Sequence, residues 1–170
     1  MVYGIELEIT DSEKDKSVEK WTPSLTKVIN HEHGHAYMTK YLGGDCFYEF
    51  NLETNEGAVH QLGKLDEHSR ALVVVSGFAA EVIEEGVDNL VNSERGSKGL
   101  SSDSRDLDNL GYTSQEQKAK LLEEAIDILN CNWDSFTRSR KKLTHIINQK
   151  KTQNLDSTPR IFPHEHKLFE

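Results

Sequence analysis

The stretch Val28-Ile29-Asn30-His31-Glu32-His33-Gly34-His35-Ala36 decides how the chain reads. His31 and His35 are four residues apart, so on a helix their imidazoles lie one turn apart and about 40° apart in azimuth. Two nitrogens at that spacing can share one Zn²⁺. Glu32 sits about 60° round from His35, within reach of a water at the metal. His33 is about 160° from His35 and is expected to point elsewhere, as a surface histidine or as one that supports a ligand.

The flanks supply the helix. Thr22-Pro23 is a capping hydroxyl followed by proline at the first helical position. Gly43-Gly44 stops the helix after Leu42, because glycine enters the left-handed region without steric cost. Apolar Val28, Ile29, Ala36 and Leu42 give it a face to bury. Next come the aromatic-rich Cys46 to Leu52 and the shorter Ala58 to Leu62, separated by Glu53 to Gly57. This predicts a β-hairpin with a five-residue loop. Leu65 to Glu85 predicts a second and more buried helix, with Leu72, Val75, Ala79, Val82 and Ile83 on one face and Gly86 as its stop.

Val87 to Ser102 reads as a loop around Gly96-Ser97-Lys98-Gly99, and Ser102-Asp103 opens a short helix to about Leu110. From Thr113 to Lys150, Leu122, Ile126, Leu129, Trp133, Phe136, Leu143 and Ile147 recur at steps of mostly three and four. Arg140 interrupts them, and a break near Asn130-Asn132 predicts a helical hairpin packed on the rest. The expected class is mainly α with a small β-hairpin or sheet. The expected organisation is a strand (Val2 to Ile9) and linker over 1–20, one domain over 21–151, and a loose tail over 152–170.

Composition sets bounds on function. The chain has 170 residues, 20 basic and 29 acidic, a net charge of −9 and a pI near 5.4. That argues against general nucleic-acid binding, which needs a basic face to release counterions, and against a polybasic membrane anchor. No apolar run approaches a membrane span; the longest is Ala71 to Val75. Cys46 and Cys131 are too few for a disulfide framework and read as reduced thiols. The expected setting is cytoplasmic.

A catalytic zinc takes three protein ligands and an open position. By residue type, the third ligand could be Glu81, Asp103, Asp106, His60 or His68. His164-Glu165-His166 follows Pro163 without helical spacing and reads as exposed histidines.

His31-Glu32-His33-Gly34-His35-Ala36 resembles the HEAGHA motif in the peptidase domain of FtsH-type AAA+ metalloproteases. Gly77-Phe78-Ala79-Ala80-Glu81, followed by Val82-Ile83 and Gly86, resembles that family's G-R-x-A-E-E-x-x-x-G helix. Gly99-Leu100-Ser101-Ser102-Asp103 resembles its G-A-S-N-D segment. The three stand in the family's order over about Pro23 to Lys150. The resemblance implies a zincin-like helical domain in which His31, His35 and Asp103 bind Zn²⁺ and Glu32 is the general base. Glu81 would orient an imidazole or serve as a ligand.

The departures are plain. No G-x-x-x-x-G-K-[ST] motif is present, so there is no P-loop ATPase. His33 replaces a small residue, the loop from Gly86 to Asp103 is longer, and the Pro-Arg-Gly turn is missing. The expected function is zinc-dependent hydrolysis of peptide bonds in an unfolded or extended polypeptide substrate. The alternative is a non-proteolytic regulatory module that contacts a partner protease. A protein partner or a homo-oligomer is compatible with either.

Overall fold

The computed structural model describes residues 24–86, 103–154 and 156–170. Helix α1 (Leu25–Tyr41) leads into strands β1 (Asp45–Asn51) and β2 (Glu56–Leu62), then helix α2 (Glu67–Glu85). A short helix over 103–109, α3, precedes α4 (Gln115–Cys131) and α5 (Trp133–Gln153). A two-residue strand β3 (Arg160–Ile161) and a 3₁₀ turn (Pro163–His166) complete the described chain. The strand expected at Val2 to Ile9, the 1–20 linker, the Thr22-Pro23 cap and the loop from Val87 to Ser102 lie outside the described residues.

The helix stops and starts follow local chemistry. Ser24 occupies the N-cap position of α1 without a side-chain hydrogen bond, and Gly43 takes φ +82° immediately after the helix. Asp66 caps α2 by accepting from the Ser69 amide. Ser114 and Gln117 form a reciprocal capping box on α4, which satisfies amides the first turn would leave unpaired. The break between α4 and α5 falls at Asn132, as expected. The two helices do not run back along each other, however. α4 packs chiefly on α2 and α5 on α1, so the expected hairpin is a bend whose arms hold different partners.

α1 is the shared wall of two cores. One holds Tyr37, Met38, Leu72, Val75, Ala79, Leu121, Leu129 and Phe136. The other holds Val28, Ile29, Ala36, Tyr48, Phe50, Leu143, Ile147, Ile161 and Leu168. A helix flanked by two cores must bury most of its circumference, and nine of its seventeen residues are buried.

The sheet is antiparallel in the order β2-β1-β3. The β1–β2 pairing ends at Asn51↔Glu56. The connection is therefore Leu52 to Asn55, one residue shorter than expected, with Asn55 at φ +53°. The expectation of a loose tail over 152–170 is corrected. β3 pairs with β1 at Tyr48↔Ile161 and Glu49↔Arg160. The Phe50 and Leu52 amides donate to the Pro159 and Ser157 carbonyls. Ile161 and Leu168 are fully buried. A two-residue strand is too short to show a period in sequence; its burial comes from pairing with β1.

Candidate metal centre

α1 and α2 meet through glycine. A Cβ on Gly34 would collide with the backbone carbonyl of Ser76 and lie 2.9 Å from its carbon. A Cβ on Gly77 would sit 2.5 Å from His35 Nε2 and 2.7 Å from His31 Nε2. Both distances are too short for real atoms, so the two helices approach this closely only because neither residue has a side chain. The contact sets the backbone of α2 directly against the two imidazoles.

The imidazole orientations are fixed from behind. His35 Nδ1 is 2.7 Å from the Val73 carbonyl. A carbonyl can only accept, so Nδ1 carries the hydrogen and Nε2 of the neutral ring presents a lone pair. His31 Nδ1 lies 3.4 Å from Glu81 Oε1, within ion-pair range but outside hydrogen-bond geometry. The two Nε2 atoms face each other at 3.0 Å. Asp103, the first described residue of α3, completes the group. One ligand atom from each of His31, His35 and Asp103 lies within 4.8 Å of the others.

The electrostatics are those of a cation site. Burial opposes charge on His31, but Glu81, Glu32 and Asp103 outweigh it and raise its pKa. Burial, then the charge on His31, pushes His35 down to about 3. Asp103 is pushed up to about 7, mainly by burial; His31 offsets part of this and Asp106, Glu81 and Glu32 add to it. Two Nε2 atoms at this distance are close enough to donate their lone pairs to one divalent cation.

Zn–N bonds of about 2.0–2.1 Å at a tetrahedral angle place two nitrogens about 3.3 Å apart, close to the separation here. Asp103 Oδ2 is buried with no hydrogen-bond partner among the described residues, an arrangement that a metal bond would resolve. The donor set of two imidazoles and one carboxylate therefore fits zinc with a position left open.

Glu32 projects toward the sheet. A Cβ on Gly57 of β2 would come within 2.8 Å of Glu32 Cγ, so this carboxylate packs against the strand, and its charge acts on both His31 and Asp103. Glu81, 2% exposed, backs His31 and lies outside the three-residue cluster. The remaining candidates stand apart. His60 stacks on Phe47 on the outer sheet face, 3.6 Å from Glu49. His68 contacts Tyr112 and Glu124. His164 and His166 are exposed in the 3₁₀ turn. Asp106 is exposed one helical turn beyond Asp103.

His33 is neither at the surface nor beside a ligand, which corrects the sequence expectation. It is fully buried. Its Nε2 lies 3.2 Å from the Phe136 carbonyl and 2.8 Å from Ser139 Oγ, and its Nδ1 lies 2.8 Å from the Tyr48 hydroxyl. The carbonyl again fixes the tautomer: Nε2–H donates and Nδ1 accepts from Tyr48. Burial holds its pKa down at about 3, so the ring is neutral. His33 thus joins α1, β1 and α5, while the opposite side of the same helix carries the His31–His35 pair.

Comparison of the chain with family models, with curated proteins and with solved structures gives no match. Among the described residues, no helix is long and apolar enough to cross a membrane.

Proposed function

We propose that the chain is a zinc-dependent metalloendopeptidase, similar to the peptidase domain of FtsH-type proteases. The observation that carries this reading is the convergence of His31, His35 and Asp103, with the Glu32 charge acting on His31 and Asp103 and its side chain lying against Gly57 of β2. Zinc held there would polarise a scissile carbonyl and lower the pKa of a water. The chain's own groups supply the rest. Val73 and Glu81 keep the imidazoles aimed at the open centre. Glu32 takes the proton of the attacking water and hands it to the leaving amine. β2 has β1 on one side only and offers its other edge to an extended peptide. Strand pairing reads the main chain, so it selects unfolded substrate and tolerates many sequences.

Two variants test the assignment. Glu32→Gln keeps its metal and fold but loses casein hydrolysis by at least about 100-fold, the usual contribution of a general base. Cleavage at the wild-type rate would remove Glu32 from the chemistry. Asp103→Asn loses metal to a chelator far more readily than Asp106→Asn, because only Asp103 lies in the cluster. Equal metal content in wild type and Asp103→Asn would shift the third position to another residue. A wild type that binds zinc yet leaves casein intact, with and without chelator, would favour the regulatory reading.

A further inference from the structure

Asp103 reaches the histidines from a described helix of just under two turns, with few means of holding its own orientation. The contacts that hold α3 are therefore the ones that place the carboxylate. Leu107, 3% exposed, anchors the helix in the core shared by α1, α2 and α4. That contact sets depth but leaves rotation about the helix axis weakly fixed. The second contact comes from Lys118 of α4. Its ammonium lies 2.7 Å from Ser104 Oγ and 2.7 Å from Asp108 Oδ1, and its side chain is only 13% exposed.

Ser104 and Asp108 are four residues apart, so they share one face of α3. Asp103 and Leu107 have the same spacing, one residue back. A cation gripping the first pair fixes the azimuth of the second. The magnitude shows why this matters. A side chain reaches about 5–6 Å from the helix axis, so a turn of about 10° moves its end by about 1 Å. That exceeds the roughly 0.5 Å within which a preorganised site must be held.

We propose that Lys118 is a positioning residue for the metal centre, fixing the rotation of the Asp103 helix through Ser104 and Asp108. The inference rests on the metal-binding reading above. Lys118 acts through geometry, because its ammonium contacts Ser104 and Asp108, the face of α3 next to Asp103. Lysine suits the role: one ammonium has three donors and can serve a hydroxyl and a carboxylate at once.

The test is zinc affinity, measured by chelator competition on the full chain. Lys118→Met should raise the Zn²⁺ dissociation constant by about tenfold or more, the usual effect of losing a group that orients a ligand. Lys118→Arg should recover most of it. Lys120→Met should leave affinity unchanged, since among the described residues Lys120 pairs with exposed Glu116 on its own helix. Asp108→Asn weakens the same grip without altering α4, and decides the matter should Lys118→Met fail to fold.

The discriminating arm is a double-mutant cycle. In an Asp103→Asn background, Lys118→Met should cost no further affinity, whereas a general structural role would cost the same in both backgrounds. Wild-type affinity in both Lys118→Met and Asp108→Asn, or a full additional loss in the Asp103→Asn background, overturns the role of Lys118 alone. A wild-type chain that holds no zinc overturns the metal reading and this inference with it.

Discussion

Gly77→Ala should abolish zinc uptake at the proposed site while leaving the metal-free fold as stable as before, or slightly more so. The added methyl would lie 2.5 Å from His35 Nε2 and 2.7 Å from His31 Nε2. Neither ring can yield freely, because His35 is tied to the Val73 carbonyl and His31 is backed by Glu81. Relief requires the two nitrogens to leave the positions from which they share a cation, and a displacement of about 1 Å is beyond what a preorganised site tolerates. Zinc affinity should fall by at least about 100-fold, comparable to the upper range for loss of a ligand-supporting group.

The metal-free protein feels the opposite pressure. Alanine is better than glycine inside a helix by about 1 kcal/mol, which offsets the cost of moving two side-chain rings. Gly34→Ala, one contact away, should behave differently. Its methyl meets the Ser76 backbone, which cannot rotate aside, so the helices must separate and the thermal midpoint should fall. Chelator titration and thermal melting of the two variants check the contrast. Gly77→Ala with wild-type zinc affinity would show that the two rings are not held as described.

His33→Ala should be the most damaging substitution for stability. It would leave the fully buried Tyr48 hydroxyl and the Ser139 hydroxyl without their shared partner. It would also open a cavity among Tyr37, Tyr48, Phe136 and Phe169, whose rings surround the imidazole with centroids 4.7–6.3 Å away. Stranded buried polar groups cost about 1–3 kcal/mol and a large-to-small change in a core about 3–5 kcal/mol. A combined loss of about 4–8 kcal/mol takes much of the roughly 5–15 kcal/mol available to a domain. Urea unfolding would show this as a lower midpoint. His33→Phe, which keeps ring volume but removes the partner of the Tyr48 hydroxyl while Ser139 keeps the Ser135 and Phe136 carbonyls, should lose less. Identical midpoints for wild type and His33→Ala would mean that the buried network contributes nothing.

What the sequence made legible divides along physical lines. Elements governed by local rules were readable: α1 and α2 from apolar spacing, their ends from Gly43, Gly86 and the turn chemistry, and the His31–His35 pair from helical geometry alone. Features that depend on distant partners were not. The azimuth of His33 showed that it faces away from the His31–His35 pair. Nothing local showed what it would meet there, since Phe136 and Ser139 lie 103 and 106 residues away. The strand at Arg160–Ile161 has no period of its own. Residue type left Asp103, Asp106, Glu81, His60 and His68 open as a third partner; the family resemblance singled out Asp103, and the tertiary fold brings it together with the two histidines. Gly57 illustrates the same limit: its reading as a turn residue gave no hint that Glu32 would lie against it.

The pairing of β3 with β1 also has a consequence in time. The face of β1 that carries Tyr48 and Phe50 is closed on one flank by Pro159, Ile161 and Leu168, more than a hundred residues later in synthesis. Until the ribosome has delivered those residues, β1 has an open edge and the helix with the paired histidines lacks much of the core that steadies it. Contacts this remote form late and slowly. The nascent chain therefore carries the His31–His35 pair before β3, which completes the framework behind its helix, has been made and docked.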